Sequence, residues 1–172
     1  WGDVMVESNT AGVVVVGVQS GQGHDVVGVA AAVAERFSAR LVCVVVDPAL
    51  LSAGVRADGS EIIEPIDPDT ADSDPQQLPD EDMRVIRDLA AARSVDVDFV
   101  SRVGDPSHAL AAVAEERDAV MIVVGSQAGR RRIAELLTGS VAAHLTHQQH
   151  RPILVVPHDP VGATVLLPSE AP

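Results

Sequence analysis

The chain contains no lysine and no tyrosine, and its twelve basic side chains are all arginine. Such a bias reads as a trait of genome or habitat. Only three aromatics occur, Trp1, Phe37 and Phe99, so any core must be aliphatic, as in a doubly wound sheet. A single cysteine, Cys43, excludes a disulfide framework and points to a reducing cytoplasm. It lies inside an apolar run, where a cysteine is a small buried hydrophobe more often than a reactive thiol. No apolar run approaches the ~20 residues that a membrane-spanning helix needs. The start offers no basic stretch followed by an apolar segment, so no secretory signal is expected. It opens Trp1-Gly2-Asp3 without an initiator Met, as a trimmed chain would.

A broad basic face is missing too. The net charge is −13, and its location matters more than its size. Residues 57–82 hold ten acids and no arginine, which leaves the remainder near neutral. Binding of nucleic acid through a cationic surface is therefore not expected.

What is present is a chain of 172 residues, enough for one domain with a sizeable core. Residues 1–11 read as a polar leader, 12–157 as the domain and 158–172 as a tail. Gly12 to Val18 and Leu41 to Val46 are short, β-branched and apolar on both faces, which predicts strands buried in a parallel sheet. Between them, Asp25 is a candidate N-cap, and Val26, Val27, Ala30, Val33, Ala34 and Phe37 form a helical stripe. Asp47-Pro48 ends the second strand. Residues 49–79, with four prolines and dense acids, predict an irregular acidic loop inserted in the domain.

Asp80-Glu81-Asp82 opens a helix with Met83, Ile86, Leu89 and Ala90 inward and Arg87 and Arg93 toward its end, complementing the helix dipole. Val95 to Val103 alternates, with Val95, Val97 and Phe99 against Asp96 and Asp98. That period of two predicts a half-exposed strand at a sheet edge. Asp105 can cap and Pro106 suits the first position of the next helix, striped by Leu110, Val113 and Ala114. Val120 to Val124 and Pro152 to Val156 are the last strands. Ile133, Leu136, Leu137, Val141, His144 and Leu145 stripe the helix between them. Five strands thus alternate with four helices, the pattern of a parallel sheet with crossover helices.

The chemistry is expected after the fourth strand, where Gly125-Ser126-Gln127-Ala128-Gly129 leads into that last helix. Ligands of open α/β sheets sit at the carboxyl ends of the strands. Unpaired N–H groups at a helix start attract anions, and glycine lets the backbone come close. Arg130, Arg131 and Arg132 occupy the first turn, where cations oppose the dipole, so an anion is expected there. Gly139-Ser140 falls inside the helical pattern, where glycine costs ~1 kcal/mol relative to alanine. That too suggests close approach by a ligand or another backbone.

On these residues the chain resembles the universal stress protein family, whose mark is Gly-x2-Gly-x9-Gly-Ser/Thr between the fourth strand and the last helix. Val123-Val124-Gly125-Ser126, Gly139-Ser140-Val141, Arg151-Pro152-Ile153-Leu154-Val155-Val156-Pro157 and the turn Gly104-Asp105-Pro106 carry the resemblance. It implies an adenine nucleotide alpha hydrolase-like α/β fold: a five-stranded parallel sheet of order 3-2-1-4-5 with helices on both faces. It implies ATP or a related adenine nucleotide as ligand, with Mg²⁺ beside it. The contacts would be Val18, Gln19, Val45 on the adenine side, Val124, Gly125, Ser126, Gly129, Ser140 and Val141, with Arg130 and Gly139 added from the loop itself. It further implies a cytoplasmic, stress-responsive signalling module, homodimeric through Ile153, Leu154, Val155 and Val156, serving an unidentified protein partner.

Two departures set up an alternative. The loop is Gly125-x3-Gly129, one residue longer than the family spacing. Gln19 stands where ATP-binding members carry an aspartate, and an amide loses the charge-assisted bond. The alternative is a dimeric interaction module of the same family that binds no nucleotide. An enzyme is not expected. Gly21-x-Gly23 with Asp47 only faintly matches a dinucleotide fingerprint, because Val26 replaces its third small residue. Ser20 to Asp25 loosely resembles the pyrophosphate loop of ATP-dependent ligases, but no set of nucleophile, base and oxyanion donor accompanies it. His144, His147 and His150 recur every third residue, a spacing that suits a metal. A structural role is expected instead, since His144 falls in the apolar stripe.

Overall fold

The computed structural model describes residues 12–20, 23–67, 75–126 and 141–157. The leader, the tail and residues 127–140 fall outside that set. The described elements are β1 (Val13–Gly17), α1 (Gly23–Arg36), β2 (Arg40–Asp47), β3 (Leu50–Val55), β4 (Glu61–Pro65), α2 (Asp80–Ala91), β5 (Val97–Val103), α3 (Pro106–Glu116), β6 (Ala119–Ser126), α4 (Val141–Gln148) and β7 (Ile153–Pro157).

Five strands form one sheet of order β5-β2-β1-β6-β7, with every described pairing parallel. Counted within that sheet the order is 3-2-1-4-5, as the resemblance implied. Because strand side chains alternate between faces, the continuous valine runs bury both sides. Val14, Val16, Leu41, Cys43 and Val123 pack with Val27, Ala30, Ala34, Ile86 and Ala90 of α1 and α2. Val15, Val42, Val44 and Ile122 pack with Leu110, Val113 and Leu145 of α3 and α4. The alternating strand β5 lies at the edge, where Arg87 stacks over the ring of Phe99, 5.0 Å from its centroid.

Several helix ends differ from the sequence reading. The first helix begins at Gly23, which puts Asp25 in its first turn and not at the cap. Phe37 follows the helix and is 57% exposed, so it drops out of the core stripe. α2 has acids in its first turn and no base in its last. Arg93 lies beyond its end and reaches across to Glu35 of α1 at 2.9 Å. The start of α3 is as read. Asp105 caps it by accepting from His108 N at 2.9 Å, and Pro106 follows. The Ser107 hydroxyl and then the His108 N–H hold the Asp105 carboxyl below its usual range.

The largest correction concerns residues 49–79. Its residues 50–65 are not irregular but form an antiparallel two-stranded ribbon, β3–β4, while residues 68–74 lie outside the described set. Asp58-Gly59 makes its turn: Gly59 has φ 85°, a conformation that suits glycine, and Asp58 accepts from Ser60 N at 2.9 Å.

Candidate functional site

β1 leads through α1 to β2 on one side, and the chain later returns to place β6 on the other side of β1. The winding therefore reverses between β1 and β6, and the carboxyl ends of these two strands are where sheets of this kind form a ligand crevice. Gly17, Val18, Gln19 and Ser20 leave β1 at this end, and Val124, Gly125 and Ser126 end β6. Val18 N donates to Val44 O at 2.9 Å, so the β1–β2 ladder runs to the rim of the crevice.

The expected contact residues do not all present themselves alike. Val18 and Val45 are buried in the cluster under α1 and α2, and Val124 in the opposite one. Their side chains are core, so a ligand above the strands would meet their backbone. Gln19 and Gly125 are exposed, Ser126 and Val141 partly so. Gly129, Arg130, Gly139 and Ser140 lie outside the described residues.

Gly125 has a packing role that the loop motif concealed. A Cβ built there would stand 2.8 Å from Val26 Cγ2, in the first turns of α1. Helix and strand approach closely because no side chain intervenes. At Gly17 a Cβ would meet Leu110 Cδ1 of α3 at 3.2 Å. The two glycines at the strand exits thus let helices on both faces draw close to the crevice.

Two polar ties near the rim escaped the sequence reading. Ser20 Oγ donates to Asp82 Oδ2 at 3.1 Å, joining the β1 exit to the start of α2. Asp47, at the end of β2, accepts from Ala49 N at 2.9 Å and from Gln76 N at 3.0 Å. Its carboxylate therefore pins both roots of the ribbon. The Asp47-Pro48 pair signals the local turn, but nothing in the sequence signals a bond across 29 positions.

Elsewhere the alternatives fare as follows. Of the stripe expected of the last helix, Leu145 is buried as read, whereas His144 is exposed. His147 and His150 are exposed as well, and no cluster of three metal-ligating side chains occurs among the described residues. Cys43 is fully buried, and burial pushes its thiol up to about 12, the inert state expected of it. β7 ends the sheet, with Val156 buried, Ile153 and Leu154 partly buried and Val155 44% exposed. No described helix is long and apolar enough to cross a membrane.

Comparison with known proteins agrees with the topology. The model of the universal stress protein family matches residues 11–157. A solved universal stress protein in complex with cAMP is 26% identical, with a TM-score of 0.57, over 85% of this chain and 96% of that one. The universal stress protein from Archaeoglobus fulgidus in complex with dAMP is 18% identical, with a TM-score of 0.50, over 85% of this chain and 98% of that one. The latter likeness is one of fold. Among proteins of curated function, none matches.

Proposed function

The chain belongs to the universal stress protein family, and from that premise we propose that it binds an adenine nucleotide in the crevice above β1 and β6. The observation that carries this reading is the exit of β6. There Gly125 is exposed beside the point where the winding reverses, in a chain related to a protein seen with cAMP. The rest follows the chemistry of the residues. The exposed Gln19 amide offers both a donor and an acceptor to the nucleoside. Val45 ends the adenine side, and the phosphates face the glycine loop with Arg130. ATP is the preferred ligand, with Mg²⁺ offsetting the charge of its phosphates. The protein is then a binding module and not an enzyme, a cytoplasmic stress-response signal carrier that passes nucleotide occupancy to a partner.

Titration calorimetry with ATP–Mg²⁺, AMP and cAMP tests this. Binding in the micromolar range is expected, and binding at ~1 mM or weaker, about 4 kcal/mol, rejects the nucleotide reading. The Gln19→Asp variant is expected to bind several-fold tighter, because it regains a charge-assisted bond worth roughly 1 kcal/mol over a neutral one.

A second reading is a dimeric module without nucleotide, favoured by the end strand β7 with its exposed Val155. A sheet edge unpaired among the described residues and carrying an aliphatic side chain invites a strand from a twofold mate. Val155→Asp is expected to shift sedimentation from dimer to monomer. A variant that stays dimeric removes this interface, and a wild type already monomeric removes the dimer itself.

A further inference from the structure

The β3–β4 ribbon belongs to neither face of the main sheet. A two-stranded ribbon in water is marginal, and stability comes with a third strand or a packed face. Here the roots are held firmly. Leu50 and Leu78 are buried, Asp47 pins Ala49 and Gln76, and Ile66 N donates to Ala49 O at 2.9 Å. Ser101 Oγ of β5 donates to Gln76 O at 3.0 Å. Beyond those roots, however, large aliphatics face solvent: Leu51 is 37% exposed, Val55 68% and Ile66 59%. None of the three joins either core cluster of the described residues.

We propose that this ribbon is a docking edge that takes an extended, cationic segment of a partner protein as its third strand. Among the described residues β4 pairs only with β3, whereas β3 also approaches β5, so the side left open there is that of β4. β3 is also bulged between Ser52 and Gly54, where Gly54 has φ 145°, and a bulge spoils an edge for pairing. β4 reads Glu61-Ile62-Ile63-Glu64-Pro65, and Glu61 and Glu64 point to opposite faces. A strand laid along it meets one acid and one isoleucine on each face.

The sign of the partner's charge follows from the ribbon's own. Asp58, Glu61, Glu64 and Asp67 face a single cation in residues 50–67, Arg56. That guanidinium is engaged by the ribbon's own turn, 3.4 Å from Ser60 Oγ and 3.3 Å from Glu61 O. An acidic or neutral strand would meet like charge or none, whereas Lys or Arg opposite Glu61 and Glu64 makes favourable cross-strand pairs. Main-chain bonds along the edge supply affinity and the alternating side chains supply selectivity. The pinned roots keep the edge preorganised, which reduces the ordering cost on binding. This inference does not depend on the nucleotide reading.

The test uses the full chain and a fluorescent peptide with a Lys-Val-Val-Lys core, whose two lysines fall on opposite faces as Glu61 and Glu64 do, followed by anisotropy. Saturable binding that weakens with salt is expected. Charge reversal in the Glu61→Lys/Glu64→Lys variant is expected to weaken it about tenfold, from two lost attractions turned repulsive. A peptide N-methylated on its pairing edge is expected not to bind. Circular dichroism of the variant, which alters exposed side chains only, controls for folding. Absence of saturable binding overturns the proposal. So does equal binding of a glutamate–valine peptide, or indifference to the charge reversal. Self-association of the wild type that the reversal abolishes also overturns it, by making a second copy the occupant.

Discussion

Alanine at Gly125 is expected to destabilise the fold by about 1–3 kcal/mol, the range for overpacking a filled site. The added methyl would stand 2.8 Å from Val26 Cγ2, closer than carbon atoms tolerate. Val26 cannot step aside easily, because it is β-branched with a stiff χ1 and is buried in the cluster under α1. The strand is held too, since Gly125 pairs with Val156 of β7. Val26→Ala alone leaves a small cavity and is expected to cost about 1–2 kcal/mol. The double variant is expected to be more stable than the sum of the two losses allows, by at least ~1 kcal/mol. Urea denaturation of the four proteins checks this, and strict additivity would sink the packing account of Gly125. The same series separates packing from binding. If Gly125→Ala/Val26→Ala regains stability yet loses affinity for ATP–Mg²⁺, the bare backbone serves the ligand as well as the helix.

Gly125 shows how far the sequence could be read. Its place after an aliphatic run marked a strand exit and a ligand loop. The reason the fold itself requires glycine there lies in a helix ninety-nine positions earlier, which no local pattern reveals. The sheet was legible because parallel strands buried on both faces leave continuous valine runs, and β5 betrayed its edge by alternating. Asp105-Pro106 was legible because a cap is local chemistry. The ribbon was not, although Asp58-Gly59 between Val55 and Ile62 is a hairpin signal. Acids and prolines on either side hid it, because composition argues for disorder without regard to pairing. Phe37 and His144 were placed inward by period alone. The first lies past the end of α1, and the second sits beside the buried Leu145, one residue off the inward line. Part of the candidate site, from Gly129 to Ser140, stays a matter of sequence motif.

Arg151→Ala is expected to cost about 2–4 kcal/mol, at the end of the sheet opposite the crevice. Its side chain is only 9% exposed and serves several elements at once. Nε donates to Ala119 O at 2.8 Å, where β6 begins, and NH1 donates to Glu115 Oε2 at 2.6 Å, in the last turn of α3. Its own N–H donates to Gln149 Oε1 at 2.6 Å, so the guanidinium is set where the chain turns into β7. Hydrogen bonds from a charged group are worth roughly 1.5–3 kcal/mol, and a buried carbonyl left without its donor adds to the loss. Glu115 and Glu116 also stand at the carboxyl end of α3, where acids oppose the dipole. Arg151 answers the first, and Arg102 the second at 2.8 Å. Lysine at position 151 offers a point charge instead of a fork, so Arg151→Lys is expected to recover less than half of the loss. The pH dependence carries a signature of its own. The hydrogen bond from Arg151, and then its charge, hold the Glu115 carboxyl below its ordinary 4.5. A depressed carboxyl adds stability that is fully present above the unfolded value and is lost as pH falls through the folded one. The wild type should therefore lose stability on acidification below about pH 4.5 more steeply than Arg151→Ala, in which the larger part of that linkage is gone and only the charge of His150 remains. Parallel profiles of the urea midpoint against pH would show that Arg151 acts by packing its stem, and not through Glu115.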